Sequence, residues 1–216
     1  MRIIVFLIAT QVVGCAAFWW SEPMIQPRED VSAECLNPPS DNPCLFYQCL
    51  ERRFPCGANE YALKVGHHFC IKKNQHLPFF TPNGTKWLNE TNICIRESLI
   101  PTYQLDETSC ANIRTVGQNV MLDCINHRSD TGMDFCRFVG SNAAQYAELI
   151  TIDDVSRLTS LGNPRIAARM IVNGAYCGGE LLRNRLADLA GGFNDAVGSL
   201  LHIYQGLSSR WTNFWN

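Results

Sequence analysis

The chain has 216 residues, 46% of them apolar and 18% charged, with a formal net charge of −2. That is length for one domain or two small ones, with apolar residues enough for a core and no basic excess to attract nucleic acid or an anionic membrane. Eleven cysteines exceed what a cytosolic enzyme usually carries and point to an oxidising compartment.

The first residues agree. Arg2 supplies a positive start, Ile3 to Val13 form an apolar run broken at Thr10 and Gln11, and Gly14-Cys15-Ala16-Ala17 offers small residues for cleavage. This is the layout of a secretory signal peptide over residues 1–17. The run is shorter than the about 20 apolar residues a membrane span needs. Lipidation at Cys15 is the weaker reading of the same stretch. Removing the leader leaves ten cysteines, at 35, 44, 49, 56, 70, 94, 110, 124, 136 and 177. Ten is even, so five internal bridges can form with no thiol left over.

Residues 18–34 read as an extended N-terminal arm. Pro23 and Pro27, with Pro38, Pro39 and Pro43 beyond them, exclude a continuous helix up to residue 43. Leu45 to Glu51 and Tyr61 to Lys72 are short helical segments, and the two prolines between Leu77 and Pro82 make a connection. A helix is expected from Asn83 or Gly84, with Trp87, Thr91, Cys94, Ile95 and Ser98 on one face and its end at Pro101. A longer helix is expected from Glu107 to His127. Cys110 and Cys124 are 14 residues apart in it, near four turns, so they share a stripe. Residues 128–132 read as a turn. Helices then follow over 135–150, 153–161, 166–176, 180–190 and 193–205, the last with Phe193, Val197, Leu200, Leu201 and Tyr204 on one face. Residues 206–216 form a tail. Strand-like alternation is scarce and no repeat is found. The expected class is mainly α: a disulfide-stapled helical bundle with an extended N-terminal arm.

A search for catalytic chemistry finds no nucleophile elbow, no His-Glu-x-x-His and no phosphate-binding glycine loop. No cofactor is implied. His67-His68 beside Cys70 could hold a metal, but an oxidised cysteine has no thiolate to offer. Asp130, Asp134, Asp153 and Asp154 could suggest calcium, yet their spacing misses the Asp-x-Asp-x-Asp-Gly loop. Both patterns read better as surface and capping residues. Two N-glycosylation sequons occur, Asn83-Gly84-Thr85 and Asn89-Glu90-Thr91. Asn83 falls at a helix start. Asn89, two residues past Trp87, is expected on the side away from the core.

The cysteine ladder carries a resemblance. Cys35-Leu36-Asn37, Cys44 and Cys49-Leu50-Glu51 resemble the opening of the stanniocalcins, secreted glycoprotein hormones in which Cys-Leu-Asn precedes Cys-Leu-Glu. The intervals 35–44, 44–49, 70–94, 94–110 and 110–124, of nine, five, 24, 16 and 14 residues, are similar to that family's. Four other gaps run a few residues longer. Gly84-Thr85-Lys86-Trp87 leading to Cys94-Ile95 is similar to the family's Gly-Lys-Ala-Phe leading to Cys-Ile, and Ser199 to Gln205 resembles its Ser-Leu-Phe-His-Ile-Leu-Gln. The likeness spans residues 35–205.

Ten cysteines allow on the order of a thousand pairings, and spacing alone does not choose among them. The resemblance implies one: Cys35 with Cys49, Cys44 with Cys70, Cys56 with Cys110, Cys94 with Cys124, and Cys136 with Cys177. It also implies a hormone of calcium and phosphate homeostasis, acting on a cell-surface receptor or by binding and inhibiting a secreted metalloproteinase. Two features depart from the family. Gly206-Leu207-Ser208 follows Gln205 where vertebrate members place a chain-joining cysteine, which leaves a non-covalent homodimer through the apolar face of 193–205. Arg52-Arg53-Phe54 replaces the usual sequon after Cys-Leu-Glu. Outside the resemblance, the second expectation is a disulfide-rich helical carrier of a lipid or small hydrophobic ligand, whose mark would be a dry cavity between helices. A secreted hydrolase is the third.

Overall fold

A computed structural model describes residues 22–126 and 132–162, together with residues 167, 170, 171, 173, 174, 177 and 178. Among them it contains helices and no strand; one isolated antiparallel bridge joins Ile25 to Thr108. The signal peptide, the tail and the helices expected over 180–190 and 193–205 lie outside the described residues, as does most of the 128–132 turn. Of the helix expected over 166–176, residues 167, 170, 171, 173 and 174 are described and all are helical.

The arm is extended but docked. Ile25 and Thr108 exchange two backbone hydrogen bonds, of 2.6 and 3.1 Å, and Arg28 N donates to Arg53 O at 2.9 Å. Its last two residues belong instead to a one-turn helix, α1 (Ala33–Leu36), which brings Cys35 inward. Helix α2 (Leu45–Arg53) buries Leu45, Phe46, Tyr47, Cys49, Leu50 and Arg53, positions on nearly every side, so it is the central rod. Arg53 is a buried cation with no carboxylate partner among the described residues. Its guanidinium donates to Glu29 O and, at 2.9 Å, to Leu105 O, and it lies over the rings of Phe54 and Tyr103. One side chain thus ties the arm, α2 and the loop at Leu105 together.

The segment expected over 61–72 folds as a π-helical stretch, Ala62–His67, continuing into α3 (His68–His76) and a short 3-10 turn, Leu77–Phe79. Two glycines decide how closely it packs. A Cβ on Gly66 would sit in the ring of Tyr47, and one on Gly117 in the ring of Tyr61. Each tyrosine is buried against bare backbone, and burial pushes both phenols well above their ordinary pKa.

Helix α4 (Pro82–Tyr103) starts at Thr81, whose Oγ1 accepts from Gly84 N at 3.2 Å, with Pro82 in the first turn, where its missing N–H costs nothing. Its end corrects the sequence expectation: α4 runs past Pro101 to Tyr103. Proline removes one hydrogen bond of the last turn. Thr102 and Tyr103 are buried beyond it and Gln104 N still bonds Ile100 O at 3.0 Å, so packing carries the helix two residues further. Helix α5 (Cys110–Ile125) begins later than expected because Ser109 caps it, accepting from Asn112 N at 3.1 Å.

The helix expected over 135–150 is two helices, α6 (Phe135–Ser141) and α7 (Ala143–Leu149). The break is Asn142, 1% exposed. Its Nδ2 donates to Phe138 O at 2.9 Å, closing α6, and its Oδ1 accepts from Thr81 N at 2.8 Å, holding the start of α4. Helix α8 (Ile152–Ser160) opens with a reciprocal capping box between Thr151 and Asp154.

Five disulfides lock this arrangement: Cys35–Cys49, Cys44–Cys70, Cys56–Cys110, Cys94–Cys124 and Cys136–Cys177, with Cα separations of 4.7 to 5.8 Å. They are the same five pairs that the resemblance implies. Cys110 and Cys124 staple α5 to two different neighbours, the loop after α2 and α4. Gly66→Ala and Gly117→Ala should each lower stability by about 1–3 kcal/mol through overpacking against a tyrosine ring. Guanidinium unfolding with all bridges oxidised measures this.

Candidate functional site

Helix α3 carries three cationic or cation-forming side chains, His68, Lys72 and Lys73, that pack against neighbouring helices. His68 and Lys72 are four residues apart, hence on one face, and both turn towards α8. His68 Nε2 donates to Asp154 Oδ1 at 2.7 Å, and Lys72 Nζ pairs with Asp154 Oδ2. Asp154 is 1% exposed and also accepts from Thr151 N and Oγ1, at 2.8 and 2.5 Å. Burial alone would raise its pKa; the hydrogen bonds from Lys72, Thr151 and His68 outweigh that and hold it below the ordinary carboxylate value. His67 points elsewhere and takes a hydrogen bond from the Gln48 amide at 3.1 Å. Burial, and then the neighbouring His68, lower its pKa.

Two weak motifs of the sequence therefore meet in space. His68 comes from the histidine pair and Asp153 and Asp154 from the acidic set, and their ligand atoms lie within 4.8 Å of one another. The chemistry there is that of an ion-paired cap, because the Lys72 ammonium already occupies the Asp154 carboxylate. Asp153 is turned outward to Arg157, at 2.7 Å. Asp134 caps α6, accepting from Arg137 N at 2.9 Å. Asp130 lies outside the described residues. Cys70 is bridged to Cys44, so it offers no thiolate beside the histidines.

Lys73 faces the opposite way, into the bundle. Its side chain is 8% exposed, and Nζ donates to Asn89 Oδ1 at 3.1 Å. Lys73 lines a cavity of about 110 Å³ in the middle of the helices. The walls are nearly all apolar: Tyr47 and Tyr61 on one side, Trp87 and Ile95 of α4, and Phe135 and Phe138 of α6. The α4–α6 side is an aromatic stack. Trp87 lies on Phe138 at 4.3 Å between ring centres, Phe138 on Phe80 at 5.5 Å, and Tyr146 meets Phe135 edge-on at 5.7 Å. With no acid among the described residues at ion-pair distance to favour the charged form, burial lowers the Lys73 ammonium to a pKa of about 8.

The ten cysteines sit where the framework needs them, and the two sequon asparagines do not behave alike. Asn83, in the first turn of α4, is exposed. Asn89 is half-buried against α3 through Lys73, which corrects the expectation that it faces away from the core. The sequence reading missed Lys73, although one signal was there. Cys70 must point inward to reach Cys44, and Lys73 is one turn further along the same face. No helix among the described residues is long and apolar enough to cross a membrane. No family model, curated protein or solved structure matches the chain.

Two outcomes follow from this geometry. Because the folded pKa of Asp154 is lowered, its contribution to stability is fully present above its unfolded value of about 3.9 and is lost as pH falls through the lower folded value. Asp154→Asn should cost about 3 kcal/mol near neutrality, the low end for breaking a buried pair, and should flatten that acid limb in urea titrations at stepped pH. Enzymatic removal of N-glycans from secreted protein should convert both Asn83 and Asn89 to Asp in peptide mass spectra. A glycan on Asn89 Nδ2 leaves Oδ1 free to keep its bond to Lys73.

Proposed function

We propose that this chain is a secreted glycoprotein ligand of the stanniocalcin type, with hormone activity in calcium and phosphate homeostasis. In this reading it acts by binding: it occupies a cell-surface receptor or inhibits a secreted metalloproteinase, and catalyses nothing itself. The observation that supports the reading best is the pattern of five bridges, which joins each cysteine to the partner the resemblance assigns it. Five covalent closures over short helices suit a rigid ligand, because surface that is already ordered loses little entropy on association. An oxidising compartment is what such a framework requires.

The second reading, a carrier, draws on the cavity. Its volume, about 110 Å³, is well below the roughly 300–1,000 Å³ of pockets that hold drug-sized ligands. It suits a small hydrophobe and is too small for a lipid chain. The hormone reading therefore stands first.

The test uses the full chain expressed in secretory cells, with its bridges mapped by non-reducing peptide mass spectrometry. Mixed with a secreted metalloproteinase that cleaves growth-factor binding proteins, it should form a complex stable to gel filtration and slow cleavage in a saturable manner. Cleavage that is unaffected by protein whose five bridges are intact would remove the proteinase arm of the proposal. Absence of saturable binding to ion-transporting epithelial cells as well would remove the whole of it.

A further inference from the structure

Lysines 72 and 73 are neighbours in sequence with opposite surroundings. Lys72 is paired with the buried Asp154 carboxylate. Lys73 is the more deeply buried of the two, and no carboxylate among the described residues lies within ion-pair distance of it. A neutral carboxamide oxygen uses one of its three donors. An isolated ammonium out of water is costly, and proteins ordinarily pair it or exclude it from such places. Here it borders an apolar cavity of about 110 Å³. A close-packed interior has few voids larger than one water. Walls of aromatic and aliphatic carbon give water few partners, so such a space tends to stay dry and to admit apolar molecules. Trp87, another wall residue, keeps its indole N–H buried without an acceptor. The cavity's surroundings thus combine apolar surface with a buried ammonium and an unpaired indole N–H, and no carboxylate is among the lining side chains.

We propose that this cavity, walled by Tyr47, Tyr61, Trp87, Ile95, Phe135 and Phe138, binds a small hydrophobic carboxylate whose charge is met by the Lys73 ammonium. The hydrocarbon part fills the apolar space, and the carboxylate supplies the negative charge that no lining side chain carries. Volume sets the size. A cavity of about 150 Å³ accommodates benzene, so this one suits a branched acid of about four or five carbons. The site is independent of the hormone reading: it needs neither a receptor nor a proteinase. The lowered affinity of Lys73 for its proton fits the same picture, since an arriving anion restores what burial removed.

The experiment titrates the full-length, oxidised protein with sodium isobutyrate and, in parallel, with isobutyramide, a neutral molecule of nearly the same shape. Ionic strength is held constant, and tryptophan fluorescence and thermal unfolding are followed. Isobutyrate should bind saturably and about ten- to a hundredfold more tightly than isobutyramide, the ratio expected for a hydrogen bond to a charged group. Lys73→Met, checked for its five bridges, should bring the two probes to the same affinity. In the unaltered protein the preference should fade as pH rises through about 8, where the amine loses its proton. That arm decides the matter if the variant is not secreted. No saturable isobutyrate binding, equal affinity for both probes, or a preference that survives both the substitution and the rise in pH would each overturn the proposal.

Discussion

Helices α2, α3, α6, α7 and α8 are seven to nine residues long. An isolated helix of that length does not persist in water, because nucleation is costly and each added residue returns little. What holds these segments is covalent closure. The bridges close loops of 14, 26, 54, 30 and 41 residues. In the chain-entropy account each is worth about 3–4 kcal/mol through the unfolded state. Cys94–Cys124 is central among them, since it fastens α4 and α5, the two longest helices among the described residues, side by side. The aromatic stack of Trp87 and Phe138 and the glycine contacts with Tyr47 and Tyr61 are laid against that pair. Close approaches of this kind need neighbours that cannot slide, and cross-linked neighbours do not.

The framework was the legible part of the sequence. A cysteine that must reach its partner constrains the face of its helix, and helical spacing then places Trp87 and Thr91 inside with Cys94, where both are found buried. The punctuation was harder to read. Asn142 looks like any helix-interior asparagine until Thr81, 61 residues earlier, presents a backbone N–H to it. Pro101 reads as a stop because local rules say so, and it is overridden by the burial of Tyr103, which no local rule contains. The π-helical stretch over Ala62–His67 has no composition of its own. Of the candidate site, the histidine pair and the acid pair were each visible but weak, and only folding puts His68 on Asp154. Lys73 was missed because a lysine is assumed to face water.

Three buried charges show three ways of meeting the same cost. Arg53 gives its two terminal nitrogens to backbone carbonyls and lies over ring faces, which suit its planar, weakly hydrated guanidinium, while its Nε is buried without an acceptor. Asp154 is satisfied by two cationic or cation-forming side chains and a capping threonine, and in return it fixes the start of α8 against α3. Both join distant segments of chain, so their cost is offset by the order they impose. Lys73 joins only α3 to α4, and it does so through a neutral oxygen. A methionine would fill that place at lower cost. The single hydrogen bond to Asn89 leaves the ammonium without an opposite charge, and a bound anion would supply one.

The same rigidity bears on how such a molecule could be recognised. Phe79, 67% exposed at the end of the 3-10 turn, stands beside His76, and Ile71 and Ile93 are exposed on α3 and α4. These elements are held from within: Cys70 ties α3 to the start of α2, and Cys94 ties α4 to α5. An exposed apolar side chain on a mobile segment loses much of its binding energy to ordering, whereas one on a stapled helix does not. Glycans at Asn83 and Asn89 would cover the first turns of α4, the second of them one helical turn before Ile93. Sugar and staple thus act on the same helix in complementary ways, one limiting which surface a partner can reach and the other fixing the shape of what remains.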